Sequence, residues 1–151
     1  MPVIPYAWQP VNKHILLSPI KSKRINVLGF FKRDNTLHPY MIEGTVNAEI
    51  VIACFDDFCT SLSKKTVVVL DNASIHTSEK CQAKIFQWEK QGLILKFLPK
   101  GSPELNLIEI LWKHIKYYWL PFSAYLSFEY LKEALTNILI NVGKEYRISF
   151  A

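Results

Sequence analysis

Cysteine is scarce in this 151-residue chain and poorly spaced for chemistry: Cys54, Cys59 and Cys81 are odd in number and form no CxxC pair. That argues against a disulfide framework and against a thiolate zinc site, and it favours a reducing, cytoplasmic setting. No apolar run approaches the roughly 18 residues of a membrane span, and Met1 to Pro10 lacks the basic and then apolar pattern of an export signal. Internal repeats and low-complexity tracts are missing as well. What remains is globular in composition, 50% hydrophobic and 21% charged, enough for a single domain spanning 1–151 with a real core. Lysine and arginine exceed acids by 18 to 13, a modest lean toward polyanions such as nucleic acid.

Periodicity divides the chain. Four prolines (Pro2, Pro5, Pro10, Pro19) make the opening an extended, looping entry. Arg24 to Phe31 and Leu37 to Glu43 are β-rich runs on either side of a polar turn, which predicts a hairpin. Val51, Cys54, Phe55, Phe58 and Leu62 fall on one helical face, with Asn47 as a candidate cap. Thr66 to Leu70 is an unbroken β-branched run, the mark of a strand buried on both faces. Thr77 or Ser78 can cap a second helix that stops at Gly92, and Leu93 to Leu98 returns as a strand, so a parallel βαβ unit and a mixed sheet are expected. Ser102 and Pro103 predict the start of a third helix with Leu105, Ile108, Trp112, Ile115 and Trp119 as its buried stripe. A fourth is expected from about Ser127 to Tyr146.

Two acids stand out. A carboxylate at the carboxyl end of a parallel strand sits where open α/β sheets place ligand sites, and Asp71 follows the Thr66 to Leu70 run directly. The plainer alternative is that Asp71 and Asn72 merely turn the chain. Glu109 shares a helical face with Asn106, Lys113 and Lys116. Its plainer alternative is an ordinary surface ion pair with Lys113, worth roughly 0.3–0.5 kcal/mol.

The segments around these acids resemble a mariner-like bacterial insertion-sequence transposase of the DDE superfamily. Val68, Leu70, Asp71, Asn72 and His76 match the segment that carries that family's second catalytic acid. Pro99, Ser102, Pro103, Glu104, Leu105, Asn106, Ile108, Glu109, Trp112 and Lys116 match the segment that carries the third. Leu107 stands where the family usually has proline. The resemblance runs from about Pro5 to Leu120 and implies an RNase H-like α/β fold, a mixed sheet flanked by helices.

It also implies DNA strand cleavage and strand transfer by two Mg²⁺ or Mn²⁺ ions, which clamp the attacking and leaving oxygens. Asp71 and Glu109 are then the catalytic, metal-binding residues, with Asn72, His76, Asn106 and Lys116 in support. Lys21, Lys23, Arg24, Lys113 and Lys116 become candidate contacts to double-stranded DNA at transposon ends and target. The family's first acid lies before the segment matching Pro5, so the first strand is expected to be missing or truncated, the metal site incomplete, and the chain the C-terminal part of a split or truncated transposase. An upstream frame product or a second copy is the expected protein partner. The competing expectation is an inactive remnant that only binds DNA or a full-length transposase; a different RNase H-like nuclease, such as a junction resolvase, is disfavoured by the Ser102 to Trp112 segment.

Overall fold

A computed structural model of the chain describes residues 23–73 and 75–151. The opening segment with its four prolines, expected as an extended, looping entry, and Lys21 lie outside the described residues. The hairpin forms as expected: β1 (Ile25–Phe31) pairs antiparallel with β2 (Leu37–Glu43), Gly29 opposite Pro39. Arg24 accepts from the Gly44 N–H and Lys32 donates to Thr36, so the even-numbered residues of β1 direct their N–H and C=O groups to β2. Gly29 and Pro39 therefore form a pair without ladder hydrogen bonds, and Pro39, which has no N–H, faces the outer edge of β2 where none is needed.

The turn holds an unexpected joint. Asn35 has φ 69°, a left-handed conformation that asparagine tolerates, and only 3% of its surface is exposed. Its side-chain amide donates to the Ile148 carbonyl (3.0 Å) while its side-chain oxygen accepts from the Ile148 N–H (2.7 Å). The tail of the chain is thus clasped to the hairpin. Gly143, at φ +86°, passes so close that an added Cβ would lie 2.6 Å from the Asn35 carbonyl oxygen.

Helix α1 (Ala48–Thr60) is capped by Asn47, whose side chain accepts from the Ile50 N–H at 2.9 Å. Asn47→Ala is expected to lower stability by about 1 kcal/mol, read as a shifted denaturant midpoint with an unchanged slope. Strand β3 (Thr66–Leu70) leads through α2 (Glu79–Lys90), capped by Ser78, to β4 (Leu93–Phe97), and β3 and β4 pair in parallel. A 3₁₀ turn (Pro103–Leu105) then precedes α3 (Leu107–His114), which runs into one π-helical turn (Ile115–Trp119). After a second 3₁₀ turn (Phe122–Leu126), Ser127 caps α4 (Phe128–Asn141). No described helix is long and apolar enough to cross a membrane.

Four expectations are corrected. The mixed sheet is two separate ribbons, β1–β2 and β3–β4, with no ladder between them among the described residues. Strand β3 is covered on one face only: Val68 and Leu70 pack toward α1 and α2, while Val67 and Val69 are 55% and 50% exposed because no described helix lies beneath them. The third helix begins after Asn106 rather than at Ser102, since extended backbone at Asn106 separates it from the 3₁₀ turn; Leu105 is exposed and Leu111 is the buried anchor. The fourth ends at Asn141, where Val142 turns extended and the chain heads for its clasp on Asn35.

Two apolar cores result, and β1 is the wall between them. Leu28 and Phe30 face the core of Val51, Phe55, Leu70, Cys81, Trp88 and Leu93, where Phe30 stacks on Phe58 at 3.8 Å and meets the Phe55 ring edge-on. Ile25, Val27 and Phe31 face the other, built on Leu111, Ile115, Leu135, Ile138 and Leu139. Strand alternation sorts one strand's side chains into two cores. All three cysteines are buried free thiols, and desolvation pushes Cys54 and Cys59 up, which keeps them protonated.

Candidate active site

Asp71 leaves the carboxyl end of β3 with its side chain 47% exposed. Its Oδ1 accepts from the Ala73 N–H at 3.1 Å, a local turn, and lies 3.1 Å from His76 Nδ1. Among the described residues no hydrogen bond reaches its Oδ2, and Asp71 lines the cavity described below. Asn72 also has a structural role, since its side-chain amide donates to the Leu98 carbonyl and ties the ends of β3 and β4 together. The turn-forming reading of Asp71 is met by its Oδ1, which accepts from the Ala73 N–H.

Glu109 sits in the first turn of α3, its N–H donating to the Asn106 carbonyl at 3.0 Å. Asn106 is 7% exposed, and its side chain does not cap α3. Asp71, Asn106 and Glu109 together line two adjoining cavities. One, of about 150 Å³, also has His76, Trp112 and residues of β1, α1 and β3 in its wall. The other, of about 330 Å³, is rimmed by the loop from Leu98 to Pro103.

The expected Glu109–Lys113 ion pair does not form, and no cation lies within pairing distance of Glu109 among the described residues.

The other expected site residues are dispersed. Lys113 and Lys116 line neither cavity; the π-helical turn breaks the periodicity that set Lys116 beside Glu109, and its ammonium lies over the Tyr117 ring. Lys23 lies over the Phe128 ring and Arg24 is exposed where β1 begins, away from the acids. Acids never expected in the site are engaged elsewhere: Glu43 pairs with Lys132 at 2.5 Å and Asp34 with Lys32. Asp56 and Asp57 are likewise engaged, by Trp88 with Lys84 and by Tyr40.

Sequence reasoning missed Lys100, an exposed cation on the rim of the larger cavity, and Trp112 as a wall of the smaller one. Lys100 stands before Gly101, whose φ of +73° turns the loop over the acids; that lysine–glycine step was the available signal.

Oxygen donors from Asp71, Glu109 and the Asn106 amide suit one hard divalent cation completed by water. Among the described residues no group of three or more His, Cys, Asp or Glu side chains is close enough to hold an ion by itself. A mixed α/β protein with an acidic cleft where a parallel strand ends has a nuclease-like build. The chain matches the DDE superfamily endonuclease family over residues 1–132, and it belongs to that family. DNA is accordingly its class of partner. No match to a curated protein was found.

Proposed function

We propose that this chain is the catalytic-domain part of a mariner-like bacterial insertion-sequence transposase with an RNase H-like fold, acting in DNA strand cleavage and strand transfer. The observation that carries the proposal is the unpaired Glu109 carboxylate facing Asp71 across a shared cavity. Asp71 Oδ2, Glu109 and the Asn106 amide oxygen would hold Mg²⁺ or Mn²⁺, which when bound supplies charge neutralisation at a phosphodiester and an activated oxygen nucleophile.

The chain's own groups do the rest. His76 and the Ala73 N–H fix the Asp71 carboxylate through one oxygen. Asn106 fixes the first turn of α3 and with it the Glu109 backbone. Lys100 places a positive charge where a DNA phosphate would enter, and Lys23, Arg24, Lys113 and Lys116 would add salt-sensitive contacts that carry no sequence information.

The test is nicking of plasmid DNA by the full chain in Mg²⁺ or Mn²⁺, with Mn²⁺ affinity measured alongside. Asp71→Asn and Glu109→Gln should each lower cleavage by a hundredfold or more, on the order of several kcal/mol of lost charge stabilisation. Each should also weaken Mn²⁺ binding while leaving the melting temperature within a few degrees. DNA binding with no metal-dependent nicking, unchanged by either substitution, would establish the second reading: a chain that binds DNA or a full-length partner without cutting.

A further inference from the structure

A second cluster of metal-ligating side chains lies outside the cavities of the candidate active site. His38 and Tyr40 stand two residues apart on β2, opposite Phe30 and Leu28 in the ladder, so both project from one face of the hairpin. Asp57 reaches them from the last turn of α1. Three donor atoms meet there. Tyr40 Oη lies 3.0 Å from His38 Nε2 and 2.6 Å from Asp57 Oδ2, and His38 Nε2 lies 3.7 Å from the same Asp57 oxygen.

This triangle has the dimensions of a coordination shell. A circle through its three corners has a radius of about 1.9 Å, so one ion just off their plane is about 2.0–2.1 Å from all three, the length of zinc–nitrogen and zinc–oxygen bonds. The donors are also held in place. The His38 ring meets Phe58 edge-on at 5.5 Å, Phe58 is stacked on Phe30 at 3.8 Å, and Phe30 meets the Tyr40 ring edge-on at 6.3 Å. The side chains of His38 and Asp57 are 39% and 61% exposed, which leaves room for water as a fourth ligand. Among the described residues no lysine or arginine lies within pairing distance of Asp57, so no fixed cation competes for it.

Without metal, protons link the three groups. The phenol donates its single proton to Asp57, so the contact between His38 and the phenol oxygen is a bond that the imidazole N–H donates. Burial, and then the hydrogen bond to Asp57, push the Tyr40 phenol up, so it is protonated at neutral pH. A dication at the centre replaces both hydrogen bonds: the phenol proton leaves to solvent, and the imidazole proton sits on Nδ1 so that Nε2 offers its lone pair.

We infer that His38, Tyr40 and Asp57 form a binding site for one transition-metal dication of the zinc type, with water completing a four-coordinate shell. One imidazole nitrogen in the donor set favours Zn²⁺ or Cu²⁺ over Mg²⁺, so the site differs in metal as well as in place from Asp71 and Glu109. The bound ion staples β2 to α1 and stabilises the fold by binding it. The inference does not rest on DNA cleavage, since a chain that cuts nothing would still bind the ion.

The test uses the full chain without an affinity tag, in excess Mg²⁺ so that a site built only of oxygen donors is filled. Calorimetric titration with Zn²⁺ should show one site per chain and release of about one proton per ion. His38→Ala and Asp57→Asn should each weaken Zn²⁺ by about tenfold or more, and Tyr40→Phe should weaken it and abolish the proton release. Asp71→Asn combined with Glu109→Gln should leave Zn²⁺ affinity unchanged. With Cu²⁺ as the probe, a visible phenolate-to-metal absorption band should appear in the parent and be missing from Tyr40→Phe. Zn²⁺ should raise the melting temperature of the parent and not that of His38→Ala. Were a substitution to unfold the chain, the proton count and the copper band of the parent would decide. No saturable binding at millimolar Zn²⁺, no copper–phenolate band, or affinity untouched by His38→Ala and Asp57→Asn would overturn the inference. So would Zn²⁺ binding that is lost instead with Asp71 and Glu109, or with Cys54→Ser.

Discussion

Asn35→Ala is expected to destabilise the chain by about 3–7 kcal/mol, measured as the loss of unfolding free energy in a denaturant titration. The side chain serves as acceptor and donor for one residue, Ile148, in a site with almost no solvent, so truncation strands a buried N–H and a buried C=O at once. Each such group costs about 1–3 kcal/mol when left without a partner. Alanine is also disfavoured at φ 69°, which adds about 1 kcal/mol. Two companions separate these contributions. Asn35→Gly removes the backbone penalty and keeps the lost hydrogen bonds, so it should recover about 1 kcal/mol and no more. Asn35→Asp keeps an acceptor for the Ile148 N–H but offers no donor to its carbonyl, and it buries a charge beside that carbonyl, so it should be no better than alanine. If alanine is within about 0.5 kcal/mol of the parent, the clasp contributes nothing to stability.

Trp88→Ala is expected to cost about 3–5 kcal/mol, the range for deleting a large buried aromatic. Trp88 is 1% exposed, stacks on Phe55 at 4.8 Å between ring centres, and donates its indole N–H to Asp56 at 2.8 Å. Packing dominates. Asp56 is 44% exposed and also pairs with Lys84, so water and the lysine replace the indole when it is lost. Trp88→Phe should therefore retain most of the stability, and Asp56→Asn should change it by under about 1 kcal/mol. A phenylalanine variant as unstable as the alanine one would show that the hydrogen bond, and not the packing, holds α2 against α1.

The features legible in the sequence were those with short-range causes. The β-branched run from Thr66 to Leu70, the cap at Asn47, the cap at Ser78 (one of two expected candidates) and the carboxylate after β3 depend on a few neighbouring residues, and each formed where expected. Ser102 and Pro103 misled because serine followed by proline opens a 3₁₀ turn as readily as an α-helix; what separates the two is the extended backbone at Asn106, which no propensity specifies. The π-helical turn left no mark in the apolar period, so Lys116 could not be placed from spacing alone. Asn35 was readable as a turn residue but not as a buried clasp, because its partner lies 113 positions away. The exposure of Val67 and Val69 was likewise invisible, since whether a helix covers a strand face is settled by the whole fold. Periodicity alone left Asp71 and Glu109 on separate elements; only the resemblance joined them, and both line one cavity.

The double-sided burial of β1 creates a hazard in pairing. A hairpin with one wet face punishes a one-residue misalignment at once, because the whole apolar set would turn to solvent. Here both faces of β1 are apolar, so a one-residue shift would put Val27 with Gly29, or Gly29 with Phe31, in the places of Leu28 and Phe30 and would expose no charged side chain to either core. Two small residues oppose that error. A shifted β2 would turn the ring of Pro39 inward and leave a carbonyl of β1 without a donor. A shifted β1 would bring Leu28 or Phe30 to the place of Gly29, where even a single added carbon meets Leu37 at 3.1 Å and Trp112 at 3.3 Å. Pro39 and Gly29 thus proofread the alignment of the hairpin, one by what it cannot donate and the other by the room it leaves.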